Sequence, residues 1–179
     1  MPALTLVDSN FGKQQLSVLL EAVYMHTSGQ LPAYEWNFGD VNAPVHAWST
    51  IFTYRLDKMR TGVGDTQWLK ACFNKLSLNF TWWVNRVDLS GRNVFEGGFL
   101  GLDNISPIDR SNLRAGVTLE QSDGTAWMTL FSQNMVEIAA ELSMSDPSYA
   151  PMTLKFVGHS MWIAAAMDRV GDDTGMWDE

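Results

Sequence analysis

Residues 65–84, DTQWLKACFNKLSLNFTWWV, decide the fold class. Asp65 offers a short acceptor side chain where a helix N-cap must stand. Behind it Leu69, Cys72, Phe73, Leu76, Phe80 and Trp83 recur at three- and four-residue steps, which draws one apolar stripe along a helix. A strand would alternate apolar and polar residues, and this stretch does not.

Working outward, the same period returns on both sides. Upstream, Pro44 suits a first helical position, and Val45, Trp48, Phe52, Leu56 and Met59 continue the steps to Arg60. Ser9–Met25 reads as another helix, capped by Ser9 or Asn10, with Leu16, Leu19, Leu20 and Val23 as its stripe. Downstream, Asp123 or Thr125 opens a helix carrying Trp127, Leu130, Phe131, Ile138 and Leu142. Asp146-Pro147 starts the last one, and Pro151 predicts a first turn that shifts before the helix settles. Tyr149, Met152, Phe156, Ile163 and Met167 carry it to Asp168. No stretch has the β-branched density of a strand pair. The expected class is all-α, built of antiparallel helical hairpins in one unit spanning residues 1–179.

Composition narrows the function. The chain is 179 residues long, 46% hydrophobic and 18% charged, which fits one globular domain. A net charge of -8 argues against nucleic acid, because binding phosphates needs a basic surface. No apolar run approaches the ~20 residues of a membrane span. MPALTLVDSN has neither the basic start nor the apolar block of a leader, so the expected compartment is cytoplasmic. The single cysteine, Cys72, allows no internal disulfide, and His26, His46 and His159 stand on separate elements without ligand-like spacing. We therefore expect no metal and no cofactor. Eight tryptophans are many for this length. Stacking surfaces for sugars and a tryptophan-rich core are both readings of them.

The connections alternate long and short. His26–Ala43, Asn85–Gln121 and the tail after Asp168 are long, whereas TGVGD and SMSD are tight turns. Successive antiparallel helices return the chain to one end after every second connection, so the long segments share a rim. Tyr34, Trp36, Asp40, Glu96, Asp103, Asp109, Trp177 and Asp178 fall on it. Aromatic rings can stack on a sugar's C–H faces and carboxylates can bind its hydroxyls, so a neutral carbohydrate is the expected ligand.

Within the second long connection, residues 93–110 read NVFEGGFLGLDNISPIDR. Helix-joining loops usually run to about 2–8 residues. This one mixes Gly97, Gly98 and Gly101 with Phe99, Leu100, Leu102 and acids. An aspartate held among such residues is partly desolvated, which raises its pKa and suits a general acid. Asp103 is that candidate; an Asx turn is the structural alternative.

The segments GQLPAYEW (29–36), FGDVNAPVHAW (38–48), NFTWWVNR (79–86), GRNVFEGGFLGLDNI (91–105) and QSDGTAWM (121–128) resemble bacterial members of glycoside hydrolase family 63. That family includes processing α-glucosidases and hydrolases of mannosylglycerate and glucosylglycerate. The similarity runs from about residue 11 to the end of the chain. It implies an (α/α)6 toroid that hydrolyses α-glycosides with inversion. The family's GLDD-type motif matches at Gly101–Asn104, and its general acid falls on Asp103. Asn104 replaces the second aspartate, and ISPID sets a longer spacing to Arg110, which bears on sugar specificity.

The other candidates each carry two readings. Tyr34 and Trp36 are a sugar platform or rim aromatics folded into the core. Asp40 binds hydroxyls or sits in a turn beside Gly39. Glu96 binds sugar hydroxyls, orients the acid or caps a glycine turn; Asn104 joins the substrate contacts; and Arg110 joins them or latches the loop by pairing with Asp109. Gln121 and Asp123 contact substrate or open a helix. Trp177 stacks on the rim of a complete toroid. His46 lies off the apolar stripe, where a satisfied structural histidine is the favoured reading. Trp82 is free for a role outside the core.

Inverting hydrolysis needs a second carboxylate about 6.5–9.5 Å away to activate water. The resemblance puts that base downstream, beyond this chain. The five helical segments also fall short of the about twelve that a closed toroid of hairpins takes. The expectation is a fragment, truncated at its C-terminus and also at its N-terminus, inactive alone, whose cut edges expose helix faces that self-associate. The alternative is a helical-repeat binding module without catalysis.

Overall fold

The computed structural model describes residues 2–21, 23–33, 38, 41–86, 95 and 123–168. Every regular element among them is helical: α1 (Pro2–Val7), α2 (Ser9–Leu19), α3 (His46–Thr61), α4 (Thr66–Val84), α5 (Asp123–Ser143), a 3-10 turn (Pro147–Tyr149) and α6 (Ala150–Asp168). The all-α expectation holds. Among the described residues, no helix is long and apolar enough to cross a membrane.

Helix α4 follows its stripe. Asp65 accepts from the Trp68 N–H at 3.1 Å, and Leu69, Cys72, Phe73, Leu76, Phe80 and Trp83 are all buried, joined by Asn79. Phe80 meets Phe131 of α5 edge-on at 5.1 Å and Phe156 of α6 at 5.0 Å. Phe73 meets Phe156 at 5.9 Å. Edge-to-face pairs of this kind add about 0.5–1.5 kcal/mol each beyond the area they bury. The predicted shifting turn before α6 is the 3-10 turn, where Asp146 accepts from Ser148 N–H at 3.1 Å and Pro147 opens the element.

Cross-helix pairs fix the layout. Arg55 pairs with Glu137 at 2.6 Å, while Tyr54 Oη and Lys58 Nζ both donate to Glu141. Partners that advance together along both chains mean that α3 and α5 run parallel. Lys13 to Asp65 and Trp68 to Ser17 set α2 parallel to α4, and the Phe73 and Phe80 contacts set α4 parallel to α6. The result is two rows, with α2, α4 and α6 in one and α3 and α5 in the other. The turns after α3 and α5 lie at one end. The connections leaving α2 and α4, and the chain leaving α6, lie at the other.

Three sequence readings are corrected. The helix expected over Ser9–Met25 does start at Ser9 but ends at Leu19; its cap is Asp8, which accepts from Asn10 and Phe11 N–H, and a short α1 precedes it. Arg60 donates to the last carbonyls of α1, Thr5 and Leu6, and a Cβ on Gly12 would meet Thr5 Oγ1 at 2.3 Å. α2 ends by Leu20, and Val23 is 63% exposed. Second, α3 starts at His46 with Val45 as its uncapped N-cap, so Pro44 precedes the helix.

Third, α3 is rotated from its apolar stripe. It buries Ala47, Ser49, Thr50, Ile51, Thr53, Tyr54 and Asp57, while Trp48 and Met59 stand 43% and 74% exposed. The reason is polar pairing. Thr53 bonds Thr5 at 3.0 Å, and buried Asp57 accepts from Ser9 at 2.8 Å and Lys13 at 2.9 Å. Stripping such a carboxylate of its cation costs about 3–5 kcal/mol, more than burying one further apolar side chain returns. Trp48, Phe52, Leu56 and Met59 instead line a groove of about 320 Å³ beside Asn134 and Glu137 of α5.

Candidate functional site

The end that gathers the long connections is the candidate site, and the described residues show how it is anchored. Gly29 adopts a φ of 94°, a left-handed conformation that glycine reaches without strain. Its carbonyl accepts from the buried Asn79 amide at 2.9 Å, and a Cβ there would meet the Leu78 carbonyl at 2.5 Å. The first long connection is thus pinned directly on the backbone of α4. Gln30 then donates to the Phe38 carbonyl at 2.9 Å, and Asn42 donates to that of Ala33. At the second connection, buried Phe95 donates its N–H to Thr125 Oγ1 at 3.0 Å, on the first turn of α5.

His46 opens α3 at this end. Its Nδ1 is buried and has no hydrogen-bond partner among the described residues. A buried polar group left unpaired costs about 1–3 kcal/mol. Among the described residues, no group supplies the Nδ1 partner that the satisfied histidine favoured from sequence would have. Desolvation holds the imidazole down at about 4, from 6.5, so it is neutral at physiological pH. The ring lines a cleft of about 340 Å³ with Leu19, Tyr24, Leu31, Pro32, Ala33 and Asn42. Trp82 has a partner of its own, the Arg86 guanidinium stacked 4.9 Å from its ring.

Tyr34, Trp36, Asp40, Glu96, Asp103, Asn104, Arg110, Gln121 and Trp177 lie outside the described residues. Asp123 is the first residue of α5, and its side chain is also outside them. What the structure adds is the frame around them: Ala33 and Phe38 flank Tyr34 and Trp36, and Phe95 directly precedes Glu96. Sequence reasoning missed Asn79 and Gly29 as anchors. The signal was faint, a polar residue inside the apolar stripe of α4 and one glycine in a polar loop. Among the described residues, no group of three or more His, Cys, Asp or Glu could hold a metal ion.

No protein-family model matches the chain, and no solved structure matches it. The chain is similar to an uncharacterized protein of Saccharomyces cerevisiae, with 50% identity over 165 residues. That alignment covers 92% of this chain and 15% of the yeast protein, so the chain spans about 15% of that relative's length.

Desolvation of the His46 imidazole makes stability depend on pH. Its folded value of about 4 lies below the unfolded 6.5, so between the two the unfolded chain binds a proton that the folded chain refuses. The contribution of neutral His46 is present above pH 6.5 and is lost as pH falls through about 4. Urea midpoints measured at about pH 7 and about pH 5 will fall further for the wild type than for His46→Gln. Equal losses in the two proteins would show that His46 does not titrate this way.

Proposed function

We propose that the chain is part of an inverting α-glycosidase and carries the general-acid half of its site. The whole enzyme would act on α-linked glucose or mannose in oligosaccharides or glycosyl-glycerate compounds. One observation carries the reading: the Gly101–Asn104 motif follows Phe95 in the connection that leaves α4 at the end where the long connections gather. Asp103 would protonate the leaving oxygen. Tyr34 and Trp36 would stack on the sugar. Asp40, Glu96, Asn104, Arg110, Gln121, Asp123 and Trp177 would meet its hydroxyls. The two parallel rows are the arrangement that one sector of an (α/α)6 toroid requires, which supports the reading at the level of architecture. The resemblance puts the water-activating base that inversion needs beyond residue 179.

The test is a hydrolysis assay of this chain on p-nitrophenyl α-D-glucoside. The expected result is no turnover above the uncatalysed rate. Turnover that Asp103→Asn abolishes would overturn the assignment of only half a site.

A second reading, a helical module that binds a partner, is favoured by the outer face of α6. Leu154, Met161 and Trp162 are 74%, 67% and 70% exposed, and a Cβ on Gly158 would meet nothing within 4 Å. These positions share one side of the helix at helical spacing, and a helix apolar on both sides is ordinarily enclosed. Both readings predict that this chain self-associates through exposed apolar faces. Sedimentation at rising concentration will show dimers or larger species that Leu154→Glu with Trp162→Glu disperses. A compact monomer at high concentration would contradict this.

A further inference from the structure

The rotation of α3 that buries Thr53 and Asp57 turns a different set of side chains outward. Trp48, Phe52, Leu56 and Met59 line the groove between α3 and α5, and Arg55 and Glu137 stand in it as an ion pair at 2.6 Å. Trp48 and Phe52 lie one helical turn apart, with ring centroids 5.8 Å from each other and planes tilted by 33°. Trp48 is 43% exposed, and the Arg55 and Glu137 side chains are 58% and 41% exposed, so a ligand can reach both the indole and the charged groups. The volume of about 320 Å³ lies in the range of about 300–1,000 Å³ that small-molecule sites occupy.

We propose that this groove binds one hexose unit of a neutral saccharide, with a C–H face of the sugar on the Trp48 ring and its hydroxyls bonded to Arg55 and Glu137. The ion pair decides the charge of the ligand. Arg55 already holds a carboxylate, so an anion must compete with Glu137, and a cation meets the same obstacle in Arg55. A hydroxyl displaces neither, because it accepts from a guanidinium N–H and donates to a carboxylate oxygen. A guanidinium has more N–H donors, and a carboxylate more acceptor sites, than their mutual contact uses. The aromatic wall decides the shape. A wholly apolar ligand would strip water from the charged pair without replacing its hydrogen bonds, which is costly. A pyranose instead offers an apolar C–H face to the rings and hydroxyls along its edge to the pair. Trp48 stands in the first turn of α3, so the groove starts at the end where the long connections gather. The choice of a sugar rests on the glycosidase reading. The groove deepens that reading with a contact surface on α3 and α5, separate in sequence from the Asp103 motif.

The test is 1H–15N NMR of the tryptophan indoles in the full chain, titrated with methyl α-D-glucopyranoside and, separately, methyl α-D-mannopyranoside. One of the two should shift the Trp48 Nε1–H signal saturably, while that of Trp162 on the outer face of α6 stays in place. Trp48→Ala should weaken binding of that sugar about tenfold, and Trp48→Phe, which keeps a ring, should retain most of the affinity. An unmoved signal from Trp83, buried in the core, reports that each variant is folded. Saturable sugar binding that leaves the Trp48 signal in place, or that Trp48→Ala does not weaken, overturns the groove site and spares the glycosidase reading. No binding of either sugar overturns both. A Trp48 signal that moves with protein concentration and not with sugar would make the groove an interface between copies of the chain, and would likewise overturn the site. If Trp48→Ala does not fold, the wild-type titration decides.

Discussion

The edge-on contacts of Phe80 hold the structure in its two-row form. One ring on α4 touches Phe131 of α5 and both Phe156 and His159 of α6, at 5.0–5.2 Å between centroids. Close-packed rings of this kind leave little room for a change in helix angle without opening a void. Together with Phe73 against Phe156, the contact of Phe80 with His159 sets α6 parallel to α4. The ion pairs of Arg55 and Lys58 then align α3 with α5. The sidedness of the molecule, tight turns at one end and long connections at the other, follows from that alignment.

The helices differ in how far their residues announced their packing. Helix α4 faces a single apolar core, so its burial repeats its stripe. Helix α3 does not, because its neighbours α1 and α2 bring Thr5, Ser9 and Lys13, and these draw Thr53 and Asp57 inward. No periodicity of apolar residues could show that, since the deciding partners are polar and lie 44–48 residues away. The break at Asp8 was within reach: an aspartate directly ahead of Ser9 and Asn10 is as good a cap as either, and its carboxylate accepts from two N–H groups. At the site, the alternation of connection lengths did place the long segments at one end. The cleft beside His46 was not legible, because it is assembled from residues on α2, within the first long connection and at the start of α3.

Exposed apolar surface lies on both outer elements. Leu6 and Val7 of α1 are 57% and 87% exposed, as α6 exposes Trp162. The yeast relative, of which the chain spans 15%, carries its matching stretch within a much longer polypeptide. Faces of this kind are the natural seams for further helices in such a protein, and a site gathered at one end of the rows is open to contributions from them.

The central claim is that one end of the helical rows receives a neutral sugar. Hydrogen exchange followed by mass spectrometry, with and without saturating methyl α-D-glucopyranoside, tests it most directly. Added protection is predicted in peptides covering 26–46 and 85–122, with none in those covering 62–65 and 144–149. Protection confined to the two tight turns would contradict the account.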